Sequence, residues 1–140
     1  MTKYEFISMS LPYGLKVLRK DNKTVLRIVG IDPVNIFFYE NMRYTYGSLI
    51  ECNIILRPLS DLTKEKINNG VSYYDYIWHE IVCSDSDSYD YYELLESIMC
   101  IESAPFAIIQ YLVKNHFDIA NLIESGEAID VNQLQINPYK

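Results

Sequence analysis

The chain is poor in the residues from which active sites are most often built. Of its 140 residues only 2 are histidine and 3 are cysteine. The cysteines, Cys52, Cys83 and Cys100, are odd in number and widely spaced. They form neither a disulfide framework nor a tight metal or redox motif. The 5 glycines stand singly at 14, 30, 47, 70 and 126, so there is no glycine-rich phosphate loop. No window approaches the roughly 18–20 apolar residues of a membrane span. The start, Met1-Thr2-Lys3-Tyr4-Glu5-Phe6, is mixed polar and aromatic rather than leader-like. Unpaired thiols and no leader point to a reducing cytoplasm. Positive charge is also scarce, with 12 Lys/Arg against 19 Asp/Glu and a net of −7. That balance argues against a general binder of nucleic acid or of anionic membrane.

What the chain has in excess is tyrosine, with 13 copies. A tyrosine joins a large apolar ring to a hydroxyl that needs a partner, so it suits half-buried positions and interfaces. The plainer reading places many of them on sheet faces and around the core.

The sequence changes character at a seam, Ile54-Ile55-Leu56-Arg57-Pro58-Leu59-Ser60-Asp61-Leu62-Thr63. Residues 1–62 hold 8 Lys/Arg and 6 Asp/Glu, whereas residues 63–140 hold 4 and 13. Before the seam, period-two patterning and turn residues predict five short strands. They are Leu15–Arg19, Thr24–Val29, Asn35–Tyr39, Arg43–Tyr46 and Ile50–Leu56, with Leu11 opening the ordered part. After it, cap residues and helical spacing take over. Ser60 or Asp61 caps a helix to about Asn68. Ser72 caps another carrying Tyr74, Ile77, Trp78 and Ile81, although the β-branched and aromatic content of 71–83 leaves a strand open. Asp90 and Glu93 start a third, and Ser103-Ala104-Pro105 a fourth, with Phe106, Ile109, Leu112, Val113 and Phe117 inward and Ile108 widening the stripe. Asp118 caps a last short helix, Ile119–Ser125. The expected architecture is one α+β domain over residues 1–140. A small curled antiparallel sheet (residues 8–57), with an open barrel as the alternative, packs against three or four helices (60–126). A tail (127–140) follows, packing Ile129 and Leu134 and fraying from Asn137.

Two short patterns suggest metals. His79-Glu80-Ile81-Val82-Cys83 is one residue away from the His-Glu-x-x-His arrangement, in which two ligands one helical turn apart hold zinc and the glutamate addresses the bound water. Its further ligands would have to come from His116 or Cys100. Asp85-x-Asp87 with Glu96 has part of a calcium-loop spacing, but Tyr89 and Asp90 fill positions that need a short oxygen ligand and a glycine. A packed helix margin and a solvated Ser84–Ser88 linker explain both stretches better, so no metal, cofactor or catalytic residue is assigned. His116 reads as a helix-end histidine.

Two surfaces suggest binding. Asp85, Asp87, Tyr89, Asp90, Tyr91 and Tyr92 gather acid and aromatic area and are the favoured contact surface for a protein partner. Lys16, Arg19, Arg27 and Arg43 with Tyr44 and Tyr46 form the alternative, a basic and aromatic sheet face for single-stranded nucleic acid.

Three blocks occur in order: Leu11-Pro12-Tyr13-Gly14-Leu15-Lys16; Ile55 to Glu65, reading ILRPLSDLTKE; and His116-Phe117-Asp118-Ile119 with Leu122 to Asp130, LIESGEAID. Together they resemble a group of small proteins of gut Bacteroides genomes, often found in prophage or mobile-element contexts. The resemblance implies such an origin and brings no activity with it. The expected function is therefore a non-catalytic accessory protein acting through protein–protein contact. A nucleic-acid module and a metal enzyme at His79, Glu80 and Cys83 are the alternatives.

Overall fold

The computed structural model describes residues 1–19, 24–40, 42–64, 70–82, 98 and 106–139. The strands are β1 (Lys16–Arg19), β2 (Val25–Ile31), β3 (Asn35–Glu40), β4 (Arg43–Ser48), β5 (Cys52–Leu56) and β6 (Ala128–Asp130). They form one sheet in the order β4-β3-β2-β1-β5-β6. Every neighbouring pair is antiparallel except β5–β6.

Local chemistry sets these boundaries. At the β2–β3 turn the Asp32 carboxylate accepts the N–H groups of Val34 (2.8 Å) and Asn35 (2.7 Å). Those two donors hold its pKa below the ordinary aspartate value. Glu40 pairs with Arg43, so two residues join β3 to β4, and Met42 takes a left-handed φ of 63°. The five strands before the seam are the five expected. The last begins at Cys52 rather than Ile50, because Leu49–Glu51 are spent on a turn. The sheet is open, not a barrel: β4 and β6 are its two edges and do not pair with each other.

Three α-helices lie among the described residues: α1 (Lys3–Ser10), α2 (Tyr73–Tyr76) and α3 (Phe106–Lys114). Two of them follow the seam; of the three or four expected there, most of the one over 90–99 and the Ser103–Pro105 start of another lie outside the described residues. Helix α1 precedes the expected start of order. Thr2 caps it by accepting the Glu5 N–H, and it buries Phe6 and Ile7. Ser72 caps α2 through the Asp75 N–H at 3.0 Å, as expected, and α2 continues as a π-helical stretch, Ile77–Val82. Residues 73–82 are thus helical, with Tyr74 and Ile77 buried and Trp78 packed against the core.

Other expectations are corrected. Leu59–Leu62 is a single 3₁₀ turn without a side-chain cap, and the rest of the helix expected to about Asn68 lies, from residue 65 on, outside the described residues. Phe106 is 74% exposed, because α3 turns Ile108, Leu112 and Val113 inward. No helix forms over Ile119–Ser125. Asp118 does accept two N–H groups, from Leu122 and Ile123, each at 2.9 Å, but the chain then turns and enters the sheet as β6. Ile98 is helical and buried; the rest of the helix expected over 90–99 lies outside the described residues.

One apolar cluster runs from Phe6 to Ala128 and joins the helices to the inner residues of β1–β3 and β5, including Val17, Leu26, Ile28, Ile36, Phe38 and Ile54. Ile55 and Val131 are buried apart from that cluster, where the C-terminal segment returns over β5 and β6. The outer face of β2, β3 and β4 remains open. Among the described residues no helix is long and apolar enough to cross a membrane.

Candidate interaction surface

The open face follows from strand parity. In β2 the inner residues Leu26 and Ile28 alternate with exposed Val25, Arg27 and Val29. In the β3–β4 ladder Phe37 faces Tyr46 and Tyr39 faces Tyr44. Directly opposed residues share a face, so the four rings form two ranks on the side away from the helices. Their centroids lie 6.3 Å apart for Phe37–Tyr46 and 5.1 Å for Tyr39–Tyr44, both tilted. Tyr39, Tyr44 and Tyr46 are 51%, 75% and 67% exposed. Three tyrosines at that exposure present roughly 400 Å² of residue surface, hydroxyls included. Val25 and Val29 extend the patch, which is then comparable to the largest apolar patch of an ordinary monomer, a patch that is often functional.

The positive groups expected on this face divide. Lys16 and Arg27 are cross-strand partners and share the outer side with Leu18 and Val25. Arg27 also lies against Gly14, whose left-handed φ of 73° favours glycine. Arg19 is instead opposite Cys52, on the inner side, and half-buried. Arg43 pairs with Glu40 and follows Thr45 and Phe38 in parity, away from Tyr44. Period two puts neighbouring odd and even residues on opposite faces, so the six residues do not form one basic surface. Phe37 and Tyr39, absent from the sequence expectation, belong to the face. Their signal was the alternation of Asn35-Ile36-Phe37-Phe38-Tyr39, legible only once Ile36 and Phe38 are known to point inward.

The contact residues favoured from sequence, Asp85, Asp87, Tyr89, Asp90, Tyr91 and Tyr92, lie outside the described residues, as do Cys83 and Cys100. His79 and Glu80 are exposed on the π-helical stretch. Among the described residues no three His, Cys, Asp or Glu side chains gather as a metal site needs.

A second aromatic group is internal. Helix α3 ends in a Schellman turn, with Phe117 N–H on the Leu112 carbonyl and His116 N–H on that of Val113. His116 occupies the left-handed position at φ 65°. Its Nε2 lies 2.8 Å from the Tyr13 carbonyl, and since a carbonyl only accepts, Nε2 carries the proton. The ring stacks on Tyr139 at 3.9 Å. Burial, with Arg57 and Lys16 nearby, lowers its pKa to about 4, so it is neutral at pH 7. The Arg57 guanidinium lies over the rings of Tyr73 (5.5 Å) and Tyr139 (5.7 Å) and donates through Nε to the Asn115 carbonyl. Tyr139 does not fray. Its hydroxyl accepts the Lys16 N–H at 2.9 Å and donates to the Ile55 carbonyl at 2.7 Å. Every ring in this group packs on another, so it serves as a clasp between sheet and tail.

A groove of about 460 Å³ lies beside α1, lined by Thr2, Lys3, Tyr4, Leu49, Ile50, Asn53, Gly126 and Glu127. Its amine, Lys3 Nζ, is committed to the Leu49 and Cys52 carbonyls. Comparison of the chain with protein-family models, with curated proteins and with solved structures gives no match.

Proposed function

We propose that this is a non-catalytic interaction protein that binds a protein partner through the open face of β2, β3 and β4. In line with the sequence resemblance, it would act in a host cytoplasm as an accessory product of a phage or mobile element. The observation that carries this reading is the paired ranks Phe37–Tyr46 and Tyr39–Tyr44 on the open face of an antiparallel ladder, the three tyrosines exposed and Phe37 half-buried. Exposed rings are costly in water, and aromatic residues are enriched at the centres of protein interfaces where charge is depleted. Ring area held by strands also loses little conformational freedom on binding. The single pair Lys16 and Arg27 sits toward the rim, a fitting place for steering charge.

The test compares the wild type with Tyr39→Ser/Tyr44→Ser/Tyr46→Ser. The three rings are exposed, so the fold and its melting temperature should change little. A partner held by the wild type should be lost by the variant. Retention of the same partner by the variant would remove the face from consideration.

Lys16 opposite Arg27, on the same side as the exposed rings, favours one second reading, single-stranded nucleic acid. With two cations its affinity would fall only shallowly with salt, by a log–log slope near −1.4 for two phosphate contacts on a single strand. No binding of any single-stranded probe at low salt would end it.

A further inference from the structure

The outer edge of the sheet has a property that the face alone does not explain. The Leu49 N–H donates to the Val34 carbonyl at 2.8 Å, and the β3–β4 register continues that pairing without a break from Asn35↔Ser48 to Glu40↔Arg43. Bonded and non-bonded pairs alternate along an antiparallel ladder. Ile36–Gly47, Phe38–Thr45 and Glu40–Arg43 are therefore the bonded pairs. The N–H and C=O groups of Tyr44 and Tyr46 consequently point away from β3, out of the sheet.

This edge carries few of the usual guards: its one charge, Arg43, stands at the hairpin end of the strand, on the inner side. β4 reads Arg-Tyr-Thr-Tyr-Gly-Ser, with no proline and no lysine, and its register against β3 is free of bulges. The opposite edge is treated differently: β6 has three residues and passes at once into a 3₁₀ turn, Val131–Gln133.

From this we infer that β4 pairs antiparallel with β4 of a second copy of the chain, about a twofold axis through Thr45. The inference rests on the reading of the open face as an interaction surface and adds the edge beside it. Tyr-Thr-Tyr is palindromic about Thr45, so in this register position 44 of each copy faces position 46 of the other. The outward main-chain groups of Tyr44 and Tyr46 then exchange four hydrogen bonds, two on each side of the axis. On the outer side Tyr44 and Tyr46 meet their counterparts, which joins the two aromatic faces into one. On the inner side Thr45 meets Thr45. Its Oγ1 is buried and has no hydrogen-bond partner among the described residues, and opposed threonines bond one another across strands after a χ1 rotation. Arg43 faces position 47, a glycine, so no like charges oppose. A second copy satisfies the register, the hydroxyl and the charge together.

Sedimentation velocity over a concentration series tests this with two charge variants that delete the same two rings. In the proposed register Tyr44→Lys/Tyr46→Lys sets ammonium against ammonium twice. Tyr44→Lys/Tyr46→Glu sets ammonium against carboxylate twice. The wild type should show a monomer–dimer equilibrium, the Lys/Glu variant should keep it, and the Lys/Lys variant should be monomeric. A monomeric wild type throughout, or a Lys/Lys variant as dimeric as the Lys/Glu one, overturns the pairing. If the Lys/Lys variant fails to fold, Tyr46→Pro decides. Its N–H lies outside the β3 ladder, so proline removes only the intermolecular donor; a monomer supports the pairing and a dimer defeats it. A monomeric wild type that still holds its partner through Tyr39, Tyr44 and Tyr46 defeats the pairing alone. A dimer whose partner survives loss of those rings defeats the face alone.

Discussion

The Tyr139 hydroxyl stands where the next bond of the β1–β5 ladder would be. That ladder pairs Val17 with Ile54, so Lys16 and Ile55 would follow, and the phenol bridges them instead. His116 closes the clasp by stacking on the same ring, and this makes it a pH-sensitive part of the fold. The imidazole takes up a proton near 6.5 when unfolded and only at about 4 when folded. Between those values the unfolded state binds more protons, so stability falls as pH falls through the window and levels off below about 4. The loss amounts to about 3 kcal/mol at most. Urea titrations across the window should show this slope in the wild type. They should show it much reduced in His116→Asn, which keeps a residue tolerant of left-handed backbone; an equal slope in both would assign the effect elsewhere. The helix-end position of His116 was legible in the sequence from the apolar stripe before it. Its burial was not, because that depends on Tyr139, more than twenty residues away and read as part of a fraying tail.

At the scale of elements, β4 shows how one strand serves two faces. Its outer residues are the exposed tyrosines. Its inner residue Gly47 is placed so that an added Cβ would lie 3.0 Å from Cys52 Sγ and 3.5 Å from a Phe38 ring carbon. Gly47→Ala should therefore cost about 1–3 kcal/mol by overpacking. Gly47→Ala/Cys52→Ala should recover part of that loss in the same denaturant titration, and an additive double variant would contradict the contact. The five strands before the seam could be read from their alternation and turns, and the Ser72 cap from its spacing to Asp75. Helix α1 was missed because two of its four buried positions, Lys3 and Ser10, are polar, so the stripe Lys3, Phe6, Ile7 and Ser10 does not read as an apolar one. So was β6: three residues carry no period, and their place in the sheet is set by pairing with β5.

At the scale of the molecule, the acidic balance and the open face belong to different parts of the chain. The sequence reading located binding in the acidic, tyrosine-rich stretch from Asp85 to Tyr92, or on a basic sheet face including Arg19 and Arg43. Parity divides that basic set and leaves an aromatic surface, Phe37, Tyr39, Tyr44 and Tyr46, with Lys16 and Arg27 toward its side. Individual tyrosines were visible in the sequence, but their common face depends on register, which composition does not encode. The most direct measurement of what this face does is site-resolved photo-crosslinking in the host cell. A photoreactive residue would replace, one at a time, Val29 and Tyr39 on the face and Phe106 and Ile136 elsewhere, all of them exposed. Adducts to one discrete polypeptide from positions 29 and 39, and none from 106 and 136, are the expected result. Adducts confined to positions 106 or 136, or the same pattern from all four positions, would contradict the assignment of binding to the open sheet face.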